Sequence, residues 1–136
     1  MLKAIIIDDE PDCVKLLALQ LKMYCPQVMV AAECTSSEDG LQKIVELSPG
    51  IVFLDIEMPV MNGFQMLEKL SDIQFSLVFV TAYDQFAVKA FRFSALDYLL
   101  KPIDGKDLKA AVQKAENRLG PDKQQLNMLK QQVQGT

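Results

Sequence analysis

The chain has 136 residues, 50% hydrophobic and 24% charged, which is the composition of one globular domain. Its formal net charge of −4 argues against a basic surface, so we expect no direct nucleic-acid contact by this segment. It has no histidine, and its three cysteines form no CxxC pair, which excludes a zinc site and a Ser-His or Cys-His nucleophile. No apolar run resembles a signal peptide or a membrane span, so we expect a cytoplasmic protein without membrane contact.

Apolar runs alternate with amphipathic helical patterns along residues 1–119. The runs predict strands over Leu2 to Ile7, Val28 to Ala32, Ile51 to Leu54, Leu77 to Val80 and Ala95 to Leu100. Helices are predicted from Pro11 to Tyr24, from the capping residues 35–38 to Leu47, around Phe64 to Leu70, from Tyr83 to Phe93 and from Gly105 to Leu119. This alternation is typical of βαβ units, so we predict a three-layer α/β sandwich around a five-stranded parallel sheet. Residues 120–136 are rich in Gln and form a predicted linker or tail.

Polar side chains stand where the predicted strands end. Asp8 and Asp9 follow the first strand, Asp55 the third, Thr81 the fourth and Lys101 the fifth. In a parallel sheet all of these ends meet at one edge. Carboxylates crowded together need cations, and hard oxygen ligands favour Mg²⁺, with Mn²⁺ as an alternative. Taken singly, Asp55 is equally well a turn cap, Asp8 and Asp9 a helix-capping pair, Thr81 a strand-end residue and Lys101 a solvated charge.

With Asp8-Asp9, Asp55, Thr81 and Lys101-Pro102 so arranged, residues 1–119 resemble the receiver domain of bacterial two-component response regulators. The resemblance implies the flavodoxin-like strand order 2-1-3-4-5. It also implies that Asp55 accepts a phosphoryl group from a sensor histidine kinase, that Lys101 pairs with the phosphoryl oxygens, and that the Lys101–Pro102 peptide bond is cis. Such a domain is not an enzyme with its own substrate, since it catalyses only its own phosphorylation and a slow autodephosphorylation.

The same resemblance assigns the metal ligands and the switch. Asp9, Asp55 and the backbone carbonyl of Glu57 should bind Mg²⁺ directly, whereas Asp8 should act through a water molecule. On phosphorylation Thr81 should move toward the phosphoryl group while the aromatic ring of Tyr98 turns inward.

A narrower resemblance lies in residues 81–91 and 95–103, which are similar to receivers of the LytTR (LytR/AlgR-type) class, whose output is a C-terminal DNA-binding domain. We therefore expect the chain to be a fragment ending in the linker toward such a domain. A stand-alone receiver and a phosphate-independent interaction module are the alternatives. Two other classes share the architecture: flavin- or nucleotide-binding proteins, which would need phosphate-cradling amides where Asp8 and Asp9 stand, and metal-dependent aspartyl phosphatases, whose Asp-x-Asp pattern residues 55–57 only partly imitate.

The predicted helix over residues 83–93 is apolar on more than one side, which indicates a surface that meets another chain. We predict phosphorylation-promoted homodimerisation through a dimer face of Phe86, Lys89, Ala90, Phe91 and Tyr98. The alternative is that Phe86, Ala90 and Phe93 pack inward while neighbouring helices cover Phe91.

Overall fold

The structure, a computed structural model, describes residues 1–118. The strands are β1 Leu2–Ile7, β2 Val28–Cys34, β3 Ile51–Leu54, β4 Ser76–Thr81 and β5 Asp97–Leu100. The helices are α1 Pro11–Tyr24, α2 Ser37–Leu47, α3 Gly63–Glu68, α4 Ala87–Arg92 and α5, residues 105–118. The predicted domain boundary at residue 119 and the Gln-rich segment 120–136 lie outside the described residues. None of the described helices has the length and apolar composition needed to cross a membrane.

The five strands form one parallel sheet in the order β2-β1-β3-β4-β5, which confirms the predicted topology. The central strand β1 pairs with β2 and β3, so that Ile7 lies opposite both Cys34 and Leu54. Strand β4 pairs with β3 and β5, and Thr81 lies opposite Leu100. Because every pairing is parallel, the residues that follow β1, β3, β4 and β5 emerge at the same edge.

Alternate residues of the central strands fill two cores, one on each side of the sheet. In β1, Ala4 and Ile6 belong to the core that includes α1 and α5, whereas Ile5 and Ile7 face the core that includes α2, α3 and α4. Strands β3 and β4 alternate in the same way, and every residue of both strands is buried. Strands covered on both faces read as continuous apolar runs, which is why the sequence predicted them well.

Several element boundaries differ from the prediction, most of all at helix α4. Helix α4 begins at Ala87 instead of Tyr83, because the preceding residues form a turn in which the Ala87 N–H donates to the Asp84 carbonyl. It ends at Arg92, and Ser94 follows with a left-handed φ of 59°. Strand β5 therefore starts only at Asp97. The outcome is a helix of six residues beside the functional edge of the sheet.

Candidate functional site

Three carboxylates meet at the carboxyl edge of the sheet. Asp8 and Asp9 follow β1, and Asp55 follows the adjacent β3. One oxygen from each lies within 4.8 Å of the others, so the three side chains could share one metal ion. Asp8 and Asp55 are buried, while Asp9 is partly exposed. The parallel topology thus brings together the acids that the sequence singled out.

Lys101 enters this acidic cluster from the end of β5. Its Nζ lies 2.7 Å from Oδ2 of Asp8 and 3.3 Å from Oδ2 of Asp55, and its side chain is only 20% exposed. Its backbone N–H donates to the Thr81 carbonyl at 2.8 Å. The following peptide bond to Pro102 is cis, the isomer that the resemblance implies. Lys101 is therefore not a solvated charge, because its ammonium bridges two buried carboxylates.

The Asp55 side chain is held at both oxygens. Oδ1 accepts the N–H of Ile56 at 2.8 Å, and Oδ2 faces Lys101. Its backbone N–H donates to the carbonyl of Ile7, which ties the end of β3 to β1. Gly63 packs directly beneath, since a Cβ at that position would lie 2.5 Å from the Asp55 carbonyl oxygen. One oxygen of Asp55 therefore caps the turn after β3, and the other lies in the acidic cluster beside Lys101.

The charges of the cluster perturb one another. Burial and then repulsion by Asp8 raise the pKa of Asp55 from its ordinary 3.8 to about 6, although Lys101 opposes this shift. Burial and the charge of Asp8 also raise the pKa of Asp9. Burial alone would lower the pKa of Lys101, but its hydrogen bond to Asp8 and the charge of Asp55 raise it above the usual range. The single ammonium of Lys101 does not balance the charge of three carboxylates, so the cluster has an excess of negative charge when all three are ionised.

Comparison with known proteins identifies this arrangement. The family model of the response regulator receiver domain matches residues 4–113 of the chain. The chain belongs to this family. The receiver domain is therefore the regulatory domain of a two-component response regulator, and such domains interact with histidine kinases and output domains.

Individual relatives agree with this assignment. The chain is 44% identical over 115 residues to an uncharacterized response regulatory protein of Vibrio cholerae, covering 84% of this chain and 48% of that protein. It is 36% identical over 118 residues to the sensory transduction protein LytT of Enterococcus faecalis, covering 85% of this chain and 48% of LytT. The REC domain of AraT, a response regulator from Geobacillus stearothermophilus, superposes with a TM-score of 0.79 at 26% identity, covering 90% of this chain and 98% of that domain. The chain thus spans about half the length of these two full-length relatives.

The acidic cluster of the receiver domain fits a hard divalent cation. Its donors are carboxylate oxygens without any thiolate or imidazole. Burial and then the charge of Asp8 raise the pKa values of Asp9 and Asp55, and a bound cation would favour their ionised forms. Glu57 is exposed and its carboxylate lies outside the cluster. Asp55 and Glu57 therefore do not form the pair of acids that the Asp-x-Asp pattern of aspartyl phosphatases would provide. The backbone carbonyl of Glu57 remains a predicted ligand.

The two predicted switch residues of the receiver domain are connected through the backbone of Tyr83. The hydroxyl of buried Thr81 accepts the N–H of Tyr83 at 3.3 Å, and the carbonyl of Tyr83 accepts the hydroxyl of Tyr98. The ring of Tyr98 also lies against Phe79 of β4, with 6.3 Å between the ring centroids. Sequence analysis did not predict the role of the Tyr83 peptide groups, since a main-chain contact leaves no signal in residue type.

The predicted dimer face is only partly exposed, and the prediction that Ala90 belongs to it is wrong. Ala90 is 1% exposed and lies in the core beside Phe86 and Phe93, because α4 turns these residues toward Phe64 of α3. The alternative prediction is right that Phe86, Ala90 and Phe93 pack inward, but it is wrong that neighbouring helices cover Phe91, which is 68% exposed. Lys89 is exposed, and Phe86 and Tyr98 are partly exposed. Two exposed neighbours absent from the predicted face extend it: Val88 and Leu100.

Proposed function

We propose that Asp55 is the phosphoacceptor of this receiver domain and that the donor is a phosphohistidine on a sensor histidine kinase. One observation carries the proposal: the Lys101 ammonium bridges Asp8 and Asp55, and Asp9 lies within reach of both carboxylates. An oxygen of Asp55 would attack phosphorus in line, the P–N bond to the imidazole would break, and the imidazole would leave with its electron pair. Lys101 would then neutralise charge on the transferred phosphoryl oxygens.

We propose Mg²⁺ as the cofactor, with Mn²⁺ as a substitute. Asp9, Asp55 and the backbone carbonyl of Glu57 would hold the ion directly, and Asp8 would hold it through water. When bound, the ion supplies positive charge against the carboxylates and the phosphoryl oxygens. The all-oxygen donor set supports this choice. Burial and then repulsion by Asp8 raise the pKa of Asp55, and a second cation beside Lys101 would offset the repulsion.

The same site supports self-catalysed phosphoryl transfer and slow autodephosphorylation, not turnover of a separate substrate. The buried hydroxyl of Thr81 accepts a hydrogen bond from Tyr83 while its own proton stays free to be donated to a phosphoryl oxygen. Movement of Thr81 would disturb the Tyr83 peptide groups and, through the Tyr83 carbonyl, the hydroxyl of Tyr98. The phosphoryl group would in this way bias the position of Tyr98 beside α4.

Intact-mass spectrometry tests the phosphoacceptor directly. Incubation with Mg²⁺ and a small acyl-phosphate donor should add one phosphoryl group to the wild-type protein. Asp55→Asn should add none, whereas Asp72→Asn, the same change at an exposed acid, should behave like the wild type. An adduct that persists in Asp55→Asn would reject the assignment. Rapid hydrolysis of phosphoesters, over many cycles per chain, would instead favour a phosphatase.

We propose a C-terminal LytTR-type DNA-binding domain as the output. The similarity to LytT and the LytTR-like residues 81–91 and 95–103 support this class, and the chain spans about half of LytT. A stand-alone receiver and a phosphate-independent module remain the alternatives. We also propose a cytoplasmic location, which the three unpaired cysteines support because reducing compartments keep thiols free.

We further propose that phosphorylation promotes homodimerisation through Phe86, Lys89, Phe91 and Tyr98, extended by Val88 and Leu100. The exposed ring of Phe91 supports this surface, since large aromatic side chains are enriched at interfaces. Sedimentation with and without a beryllofluoride phosphoryl mimic should show a dimer only with the mimic. Phe91→Asp should prevent it, whereas Val45→Asp, an equally exposed apolar position on α2, should not. A protein that stays monomeric at high concentration with the mimic bound would contradict the proposal.

A further inference from the structure

A cavity of about 300 Å³ lies between α1 and the segment that follows Lys101. Its walls are mostly apolar and include Leu16 and Gln20 of α1 together with Pro102 and Ile103. The side chains of Asp8, Asp55 and Lys101 also line it. The side chain of Ile103 packs against the core that includes α1 and α5, but side chains in contact with a cavity lack packing partners on that side, so packing holds this segment only in part.

Gln20 spans the gap between these two parts of the molecule. Its Nε2 donates to the carbonyl of Ile103 at 2.9 Å, across 83 positions of the chain. Within residues 1–118, this is the one side-chain hydrogen bond between α1 and residues 101–104. Its acceptor lies two residues beyond Lys101, whose own backbone N–H is bound to the Thr81 carbonyl. The backbone around Lys101 is therefore held from β4 on one side and from α1 on the other.

The other end of the Gln20 amide has no partner. Its Oε1 is buried and accepts no hydrogen bond from the described protein atoms. A buried acceptor without a partner destabilises a fold, and a methionine of similar length would avoid that loss. The contribution of this amide is thus its donated hydrogen bond, which holds Ile103 in place.

We propose that Gln20 is a positioning residue for Lys101. By fixing the carbonyl of Ile103 across the cavity, it keeps the Lys101 ammonium between Asp8 and Asp55. Without that hydrogen bond, the backbone of residues 101–104 would be held toward α1 only by the packing of Ile103, with the cavity beside it. The consequence for phosphoryl transfer rests on the proposed function of Asp55, whereas the effect on the segment itself does not.

Gln20→Met removes the donor while keeping the length of the side chain. Gln27→Met is the matched control. The Nε2 of Gln27, just after α1, donates to the side chain of Glu116 in α5, so it also makes a long-range hydrogen bond, but away from the site. Native-state hydrogen exchange without metal should show the Lys101 amide exchanging about tenfold faster in Gln20→Met, as the loss of one hydrogen bond predicts, and unchanged in Gln27→Met. Urea unfolding of Gln20→Met should show a loss of global stability no larger than about 1.4 kcal/mol, which is the same tenfold factor expressed as a free energy.

The rate of Asp55 phosphorylation by an acyl phosphate should fall about tenfold in Gln20→Met and stay unchanged in Gln27→Met. Gln20→Leu, which also lacks the donor and adds no charge to the cavity, should match Gln20→Met and serves if the methionine variant does not fold. Exchange at Lys101 equal to the wild type would overturn the proposal. So would faster exchange at all amides together with lower stability, or an unchanged phosphorylation rate. If the wild type also takes no phosphoryl group, the proposed function fails, and the exchange comparison still decides the role of Gln20.

Discussion

Replacing Asp55 with asparagine should stabilise the metal-free receiver domain at neutral pH. The carboxylate is buried beside Asp8, and one ammonium serves both acids. Asparagine keeps an oxygen for the N–H of Ile56 while removing the charge. Lys101 retains Asp8, its closer partner at 2.7 Å, so the substitution leaves no ammonium unpaired. The proposed phosphoacceptor is thus a residue whose replacement should increase stability.

The raised pKa sets the magnitude. Burial and Asp8 move the pKa of Asp55 from 3.8 to about 6. Each pKa unit corresponds to about 1.4 kcal/mol, so keeping Asp55 ionised in the folded state costs about 3 kcal/mol relative to the unfolded chain. This is a large fraction of the 5–15 kcal/mol, roughly, that stabilises a typical domain.

The sign of the pH dependence follows from the same shift. Between about pH 4 and pH 6 the folded state holds a proton that the unfolded chain has lost, so the Asp55 contribution to stability falls as the pH rises through this window. The advantage of Asp55→Asn should accordingly grow from about 1 kcal/mol at pH 4.5 to about 3 kcal/mol at pH 7.5. An exposed acid should show no such dependence.

Urea unfolding at pH 4.5 and 7.5 in the presence of a chelator measures both values. Asp72→Asn is the control, since Asp72 is exposed and far from the cluster in sequence. Equal stability of Asp55→Asn and the wild type at pH 7.5 would refute the reasoning. An advantage that shrinks as the pH rises would refute it as well, because the carboxylate would then be stabilising in the folded state.

Three further predictions concern the cluster and its loop. Mg²⁺ at ten times its Kd should raise the free energy of unfolding by about 1.4 kcal/mol, and Asp9→Asn should abolish this increase in urea titrations. Gly63→Ala should lower stability by about 2 kcal/mol and slow phosphorylation in the mass assay, because its Cβ would lie 2.5 Å from the Asp55 carbonyl oxygen. Val60→Asn should raise the unfolding free energy by about 1 kcal/mol, because Val60 is fully exposed and has a φ of 69°, which asparagine tolerates better than valine. Unchanged stability would show that the loop is not strained there.

The architecture and the members of the site were accessible from the sequence. Runs such as Ile51 to Leu54 are apolar on both faces, so they identify buried parallel strands without any knowledge of their neighbours. Parallel pairing then places Asp8, Asp9, Asp55 and Lys101 at one edge, since each lies within two residues after the end of a strand. Residue type and position along the strand were sufficient for these predictions.

Helix α4 shows what the sequence left open. It is apolar on several sides, so periodicity could not decide which residues turn inward. Packing in the core around Phe64 decides it: Phe93 stacks on the Phe64 ring and is partly buried, Ala90 is buried, and Phe91 stays exposed.

The partner of Lys101 was likewise decided only by the tertiary structure. Whether its ammonium lies nearer to Asp8 or to Asp55 depends on distances below 4 Å between residues 46 and 93 positions apart. The raised pKa of Asp55 depends on those same distances and on burial. Charge interactions vary steeply with separation and with local dielectric, and neither quantity is encoded in the order of residues along the chain.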